Sequence, residues 1–142
     1  MQIGVEASRA VENKRIFVVD PDEVTRAALQ FILHDENETH ELPGLEAAYQ
    51  KARESRPDLI LLGISIVQKL GINVIEELKS QYRDLKVVLV AEGAERKMAE
   101  EGLKAGADDF LIKPLRVETV RETIDRTLKR VNEKKPFFRI FQ

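Results

Sequence analysis

An α/β fold built on a parallel sheet is predicted by three observations on the sequence. Strand-like and helix-like segments alternate strictly, five of each. Most of the strand-like segments are short, unbroken apolar runs, as expected of strands covered on both faces. The segments between them carry apolar residues at three- and four-residue spacing.

The first run is Arg15-Ile16-Phe17-Val18-Val19-Asp20. Pro21-Asp22-Glu23 then opens a helix, because proline is tolerated in a first turn and acids suit the positive end of the helix dipole. Val24, Ala27, Ala28, Phe31 and Ile32 form its apolar stripe. Thr39 to Leu42 is a weaker strand, broken by Pro43-Gly44, and Leu45, Ala48, Tyr49 and Ala52 mark a second helix that ends before Arg56-Pro57. Asp58-Leu59-Ile60-Leu61-Leu62-Gly63 is the clearest central strand. A loop to Gly71 follows, then a third helical stripe of Ile72, Ile75 and Leu78. Lys86-Val87-Val88-Leu89-Val90-Ala91 is the fourth strand, and residues 94–105 are a helix with Gly106 placed as its left-handed cap. Asp109-Phe110-Leu111-Ile112-Lys113-Pro114 is the fifth strand; Val117, Val120, Ile124, Leu128 and Val131 space the last helix. Functional groups in such sheets gather beyond the carboxyl ends of the strands. Asp20, Gly63, Ala91 and Lys113 stand at four of those ends and are predicted to face one crevice.

A chain of 142 residues accommodates one core. We divide it into an extension over 1–14, a domain over 15–133 and an aromatic tail over 134–142. A formal charge of -2 gives no general attraction for nucleic acid. The absence of cysteine excludes disulfides and thiolate chemistry and fits a reducing cytoplasm. No secretory signal and no membrane-spanning run is read in the sequence. His34 and His40, set among acids and amides, read as solvated surface rather than as a metal pair.

Val18-Val19-Asp20, Pro57-Asp58-Leu59-Ile60-Leu61-Leu62, Gly71, Gly106-Ala107-Asp108-Asp109-Phe110 and Lys113-Pro114, taken in order, resemble the receiver domain of two-component response regulators. The resemblance runs from about Lys14 to Val131. It implies a flavodoxin-like, three-layer fold: a five-stranded parallel sheet in the order 2-1-3-4-5 with helices on both faces. It also implies a site with an acidic pair after the first strand to hold Mg²⁺ and an aspartate nucleophile after the third. A Ser or Thr follows the fourth strand and a Lys the fifth. Phosphoryl transfer to a carboxylate brings two anions together, so a divalent ion and a fixed cation must offset the charge.

In this chain Asp20 keeps the first acid, but the second falls on Pro21, the nucleophile on Gly63 and the hydroxyl on Ala91. Lys113 is kept, and Phe110 keeps the ring of the aromatic that accompanies the switch. Asp22 reads as a helix-terminus acid rather than a displaced ligand. Asp58 is too far to substitute, roughly 16 Å away at the other end of the strand. Ser65 is a poor acceptor without a base beside it. Asp20 and Lys113 are expected to form a near-neutral ion pair with no metal, no cofactor and no catalytic residue.

The expected function is a phosphorylation-independent signalling or adaptor module, not an enzyme, that acts on a sensor kinase or another signalling protein. The alternative is a conventional phosphorelay receiver that accepts a phosphoryl group from a histidine kinase at an unrecognised residue. A flavodoxin-like small-molecule-binding or enzymatic domain is disfavoured, because no Gly-rich phosphate loop follows the first strand. A DNA-binding role needs an output domain, which the stretch after Val131 is too short to hold. By the same resemblance, receivers bind partners or form homodimers through the face of the fourth helix, fifth strand and fifth helix. That face would include Lys97, Glu101, Asp109, Arg121 and Arg126; such mixed charge either guides pairing or is simply a solvated surface. Phe137, Phe138 and Phe141 crowd the tail that follows Pro136. Either the tail folds back over a groove of its own domain, or it docks a partner or a second copy.

Overall fold

The computed structural model of the chain describes residues 13–130. Nearly all of the predicted extension, Val131 and the aromatic tail with Phe137, Phe138 and Phe141 lie outside the described residues. β1 (Arg15–Val19), β2 (Glu38–Leu42), β3 (Leu59–Gly63), β4 (Lys86–Ala91) and β5 (Asp109–Ile112) form one parallel sheet in the order β2-β1-β3-β4-β5, the order expected. The helices are α1 (Glu23–Leu33), α2 (Leu45–Glu54), α3 (Ile64–Leu70), α4 (Asn73–Gln81), α5 (Arg96–Lys104) and α6 (Val117–Thr127). A 3₁₀ turn over Gly93–Glu95 precedes α5.

Successive strand residues point to opposite faces, so each apolar run feeds two cores. Ile16, Val18, Leu59, Leu61, Val88, Val90 and Leu111 pack under α1 and α6. Phe17, Val19, Ile60, Leu62, Val87, Leu89 and Ala91 pack under α2, α3, α4 and α5. An unbroken apolar strand is what a sheet covered on both faces requires. β2 is one of the two edge strands and, among the described strands, the one without a continuous apolar run; Glu38 of β2 pairs with Arg15 of β1 at 2.7 Å. No described helix is long and apolar enough to cross a membrane.

Three local expectations are corrected. Of the stripe Val24, Ala27, Ala28, Phe31 and Ile32 only Ile32 faces the sheet; the other four face outward, and α1 packs through Thr25, Leu29, Ile32 and Leu33. Both faces of this helix carry apolar side chains, so spacing alone did not choose between them. The segment after β3 is helical rather than a loop, because Ile64, Ile66 and Val67 bury against the second core and the turn stops only at Gly71. The last helix ends at Thr127, short of Val131. Lys129 adopts φ 58, and the Lys129 and Arg130 amides donate to the Arg126 and Asp125 carbonyls, which closes the helix as a Schellman turn. Gly106 caps α5 as expected, with φ 122 and the Ala107 amide donating to the Gly102 carbonyl at 2.9 Å.

The reassigned face of α1 is directly testable. Leu29→Ala is expected to lower stability by about 2–5 kcal/mol in urea unfolding, as a core cavity does. Ala27→Ser is expected to stay within about 0.5 kcal/mol of the parent. The opposite ranking would return the helix to the orientation expected from its stripe.

Candidate functional site at the carboxyl ends of the strands

Register brings the four strand-end residues together. Val19 of β1 pairs with Leu62 of β3, so the next residues along, Asp20 and Gly63, stand side by side. Gly63 pairs with Val90, and Ala91 with Ile112, which carries Ala91 and Lys113 to the same edge. Register thus carries the four residues to one edge of the sheet, where their side chains go separate ways.

Asp20 is only 7% exposed. Its amide donates to the Leu42 carbonyl at 3.1 Å, and its own carbonyl accepts from Arg26 Nη1 at 2.7 Å. Its carboxylate lies over the Gly63 backbone. A Cβ at position 63 would stand 2.7 Å from Asp20 Cγ and nearer still to Oδ2, so a side chain there requires the Asp20 carboxylate to shift. Gly63 has an ordinary extended backbone, φ -61 and ψ 136, so the close approach of Asp20 and not conformation is what glycine accommodates there. Asp20 Oδ1 accepts the Asp22 amide at 2.8 Å. Burial pushes the Asp20 carboxyl above its ordinary pKa; the Asp22 amide and the charge of Lys113 oppose that rise in part.

Asp22 is the N-cap of α1. Its Oδ1 accepts the Val24 amide at 3.2 Å, and its Oδ2 accepts the Thr25 hydroxyl at 2.6 Å. The Thr25 bond is the main reason that its carboxyl sits below the usual range. Lys113 Nζ lies 3.8 Å from Asp22 Oδ2. The expected Asp20–Lys113 ion pair is thus corrected to Asp22–Lys113. Asp20 is turned down into the sheet edge, whereas Asp22 projects from the start of the helix toward the end of β5.

Ala91 contributes a methyl group to the second core and no polar atom. Phe110 packs against that core with the Arg96 guanidinium 5.6 Å from its ring centre. Asp58, at the opposite end of β3, accepts the Arg15 amide at 2.8 Å. Ser65 is exposed on α3. Arg26 and Thr25 were not singled out by the sequence reading, yet they fix the Asp20 carbonyl and the Asp22 carboxylate. Their positions one turn into the helix that follows Asp20 were the available signal.

The acidic cradle that Mg²⁺ would need does not fit these residues. One buried carboxylate is present, already bonded to an amide and biased toward its protonated form. Position 21 is a proline and position 63 has no side chain. Hard divalent cations select several oxygen donors, which this arrangement does not offer. Among the described residues, no group of three or more His, Asp or Glu is placed to hold a metal ion.

On the surface, Asp109 and Arg126 pair at 3.0 Å, and Lys97 and Glu101 are exposed on α5. Arg121 departs from this face: its Nε donates to the Ile32 carbonyl and its Nη2 lies 3.3 Å from Asp35, so it serves the α1–α6 contact.

Comparison with known proteins bears on this framework. The profile of the response regulator receiver domain matches residues 16–125. The chemotaxis protein CheY of Thermotoga maritima is 28% identical over 120 residues, which cover 82% of this chain and 98% of that protein. The receiver domain of a response regulator from Bacteroides fragilis superposes with a TM-score of 0.77 at 29% identity, covering 84% of this chain and all of that one. NtrX from Brucella abortus gives a TM-score of 0.75 at 27% identity over 82% of this chain, which spans about a quarter, 27%, of NtrX.

The buried carboxylate carries a pH signature. Its pKa in the fold lies above the unfolded value of 3.8, so the stability linked to it is complete below 3.8 and is lost as pH rises through the folded pKa. Asp20→Asn, which keeps the oxygen that accepts the Asp22 amide, is expected to raise the thermal midpoint at pH 7. The gain should vanish in melts recorded below pH 3.8. A variant that melts lower at pH 7 would show that the negative charge is needed there.

Proposed function

The chain belongs to the response regulator receiver domain family, and we propose that it is a phosphorylation-independent member, a signalling adaptor that works through protein contacts. The observation that carries this reading is the Asp20 carboxylate lying in the space where an acceptor side chain on β3 would stand. A receiver switches when a phosphoryl group, held by a metal and a lysine, draws a hydroxyl toward it. Here the hydroxyl position is a core methyl, Lys113 is engaged by the N-cap Asp22, and the acceptor position holds backbone alone. Without a modification to favour one of two states, the fold has no built-in reason to change conformation. Partner recognition then rests on the resting surface. The face of α5, β5 and α6, with Lys97, Glu101 and the Asp109–Arg126 pair, supplies mixed charge suited to a protein partner such as a sensor kinase or a second copy. In this reading the chain works in the cytoplasm, needs no metal and catalyses nothing.

Incubation of the intact chain with acetyl phosphate and Mg²⁺, followed by mass spectrometry, is expected to give no phosphoryl adduct. Gly63→Asp is expected to give none either, since the new side chain would have to displace Asp20 from its bond to the Asp22 amide and would still lack the second acid and the hydroxyl. An adduct on the parent chain would restore the conventional phosphorelay reading. An adduct on the variant alone would show that Asp20 does not block the site.

A further inference from the structure

We infer that residues 136–142 dock in cis along the outward apolar face of α1. Val24 and Phe31 are 76% and 73% exposed, more than any other large apolar side chain among the described residues. Ala27 and Ala28 lie exposed between them, so two helical turns present an apolar strip roughly 10 Å long. The opposite side of α1 packs on the sheet, and one flank is held by α6 through Arg121. Nothing among the described residues covers the strip. An apolar strip of this kind on a charged surface is characteristic of a covered or docking face.

The course of the chain places an occupant next to it. α6 packs beside α1 and closes in the turn at Lys129 and Arg130. Arg130 Nη1 donates to Asn37 Oδ1, just beyond the end of α1, so the described chain stops at the Phe31 end of the strip. Seven further residues reach Phe137, a span of up to roughly 23 Å when extended. Asn37 to Phe31 is about 9 Å along a helix axis, well within that reach. The sequence then supplies Phe137, Phe138, Ile140 and Phe141 in five positions, about 16 Å of extended apolar chain. A tether this short sets an effective concentration near millimolar, which favours the same copy over a second one.

Because the chain has no cysteine, an engineered pair reports the contact without background. We compare Ala27→Cys/Phe138→Cys with Gln68→Cys/Phe138→Cys in the full chain at low micromolar concentration; Gln68 is exposed on α3, across the sheet from α1. The Ala27 pair is expected to close to an intrachain disulfide roughly tenfold faster than the Gln68 pair, or more. Equal rates would overturn the docking site, and disulfide-linked dimers as the main product would overturn docking in cis.

Discussion

The strand ends are organised by one close approach, the Asp20 carboxylate laid against the backbone of Gly63. Any side chain at the end of β3 would have to displace that carboxylate, while the backbone there makes no demand on φ. The close approach withdraws Asp20 from water, which disfavours its charge, and points its Oδ1 at the Asp22 amide to help begin α1. It also leaves Lys113 to Asp22, the nearer exposed acid. The strand ends thus hold one buried acid and one external ion pair.

This change is local because the platform beneath it is rigid. β1, β3 and β4 are buried on both faces, and their register fixes where each strand ends to within one residue. The receiver framework therefore persists while the residues at its rim differ. Framework and reaction draw on separate residues: alternating apolar side chains hold the sheet, and a handful of polar ones at the strand ends would carry phosphoryl chemistry.

The sheet was legible because a continuous apolar run of four or five residues, bounded by polar residues on both sides, suits a strand buried on both faces and little else. The order of its strands came from the resemblance and not from the runs themselves. The identity of the strand-end residues was legible as well, since register follows from strand length. What the side chains do there was not. That Asp20 folds over Gly63, and so hands Lys113 to Asp22, depends on rotamers that no spacing rule encodes. The orientation of α1 was missed because Val24, Ala27, Ala28 and Phe31 make as good a stripe as Thr25, Leu29, Ile32 and Leu33. The helix over Ile64–Leu70 was missed because seven residues hold less than two full periods.

The most direct test is to follow the Asp20 carboxyl carbon by NMR through a pH titration, with and without millimolar Mg²⁺. The account predicts a pKa above 3.8 that the metal leaves unchanged, because the carboxylate is enclosed beside Gly63 and already bonded. A pKa that falls when Mg²⁺ is added, with the resonance shifting on binding, would contradict it: the acid would then be open to a cation and the site still able to assemble.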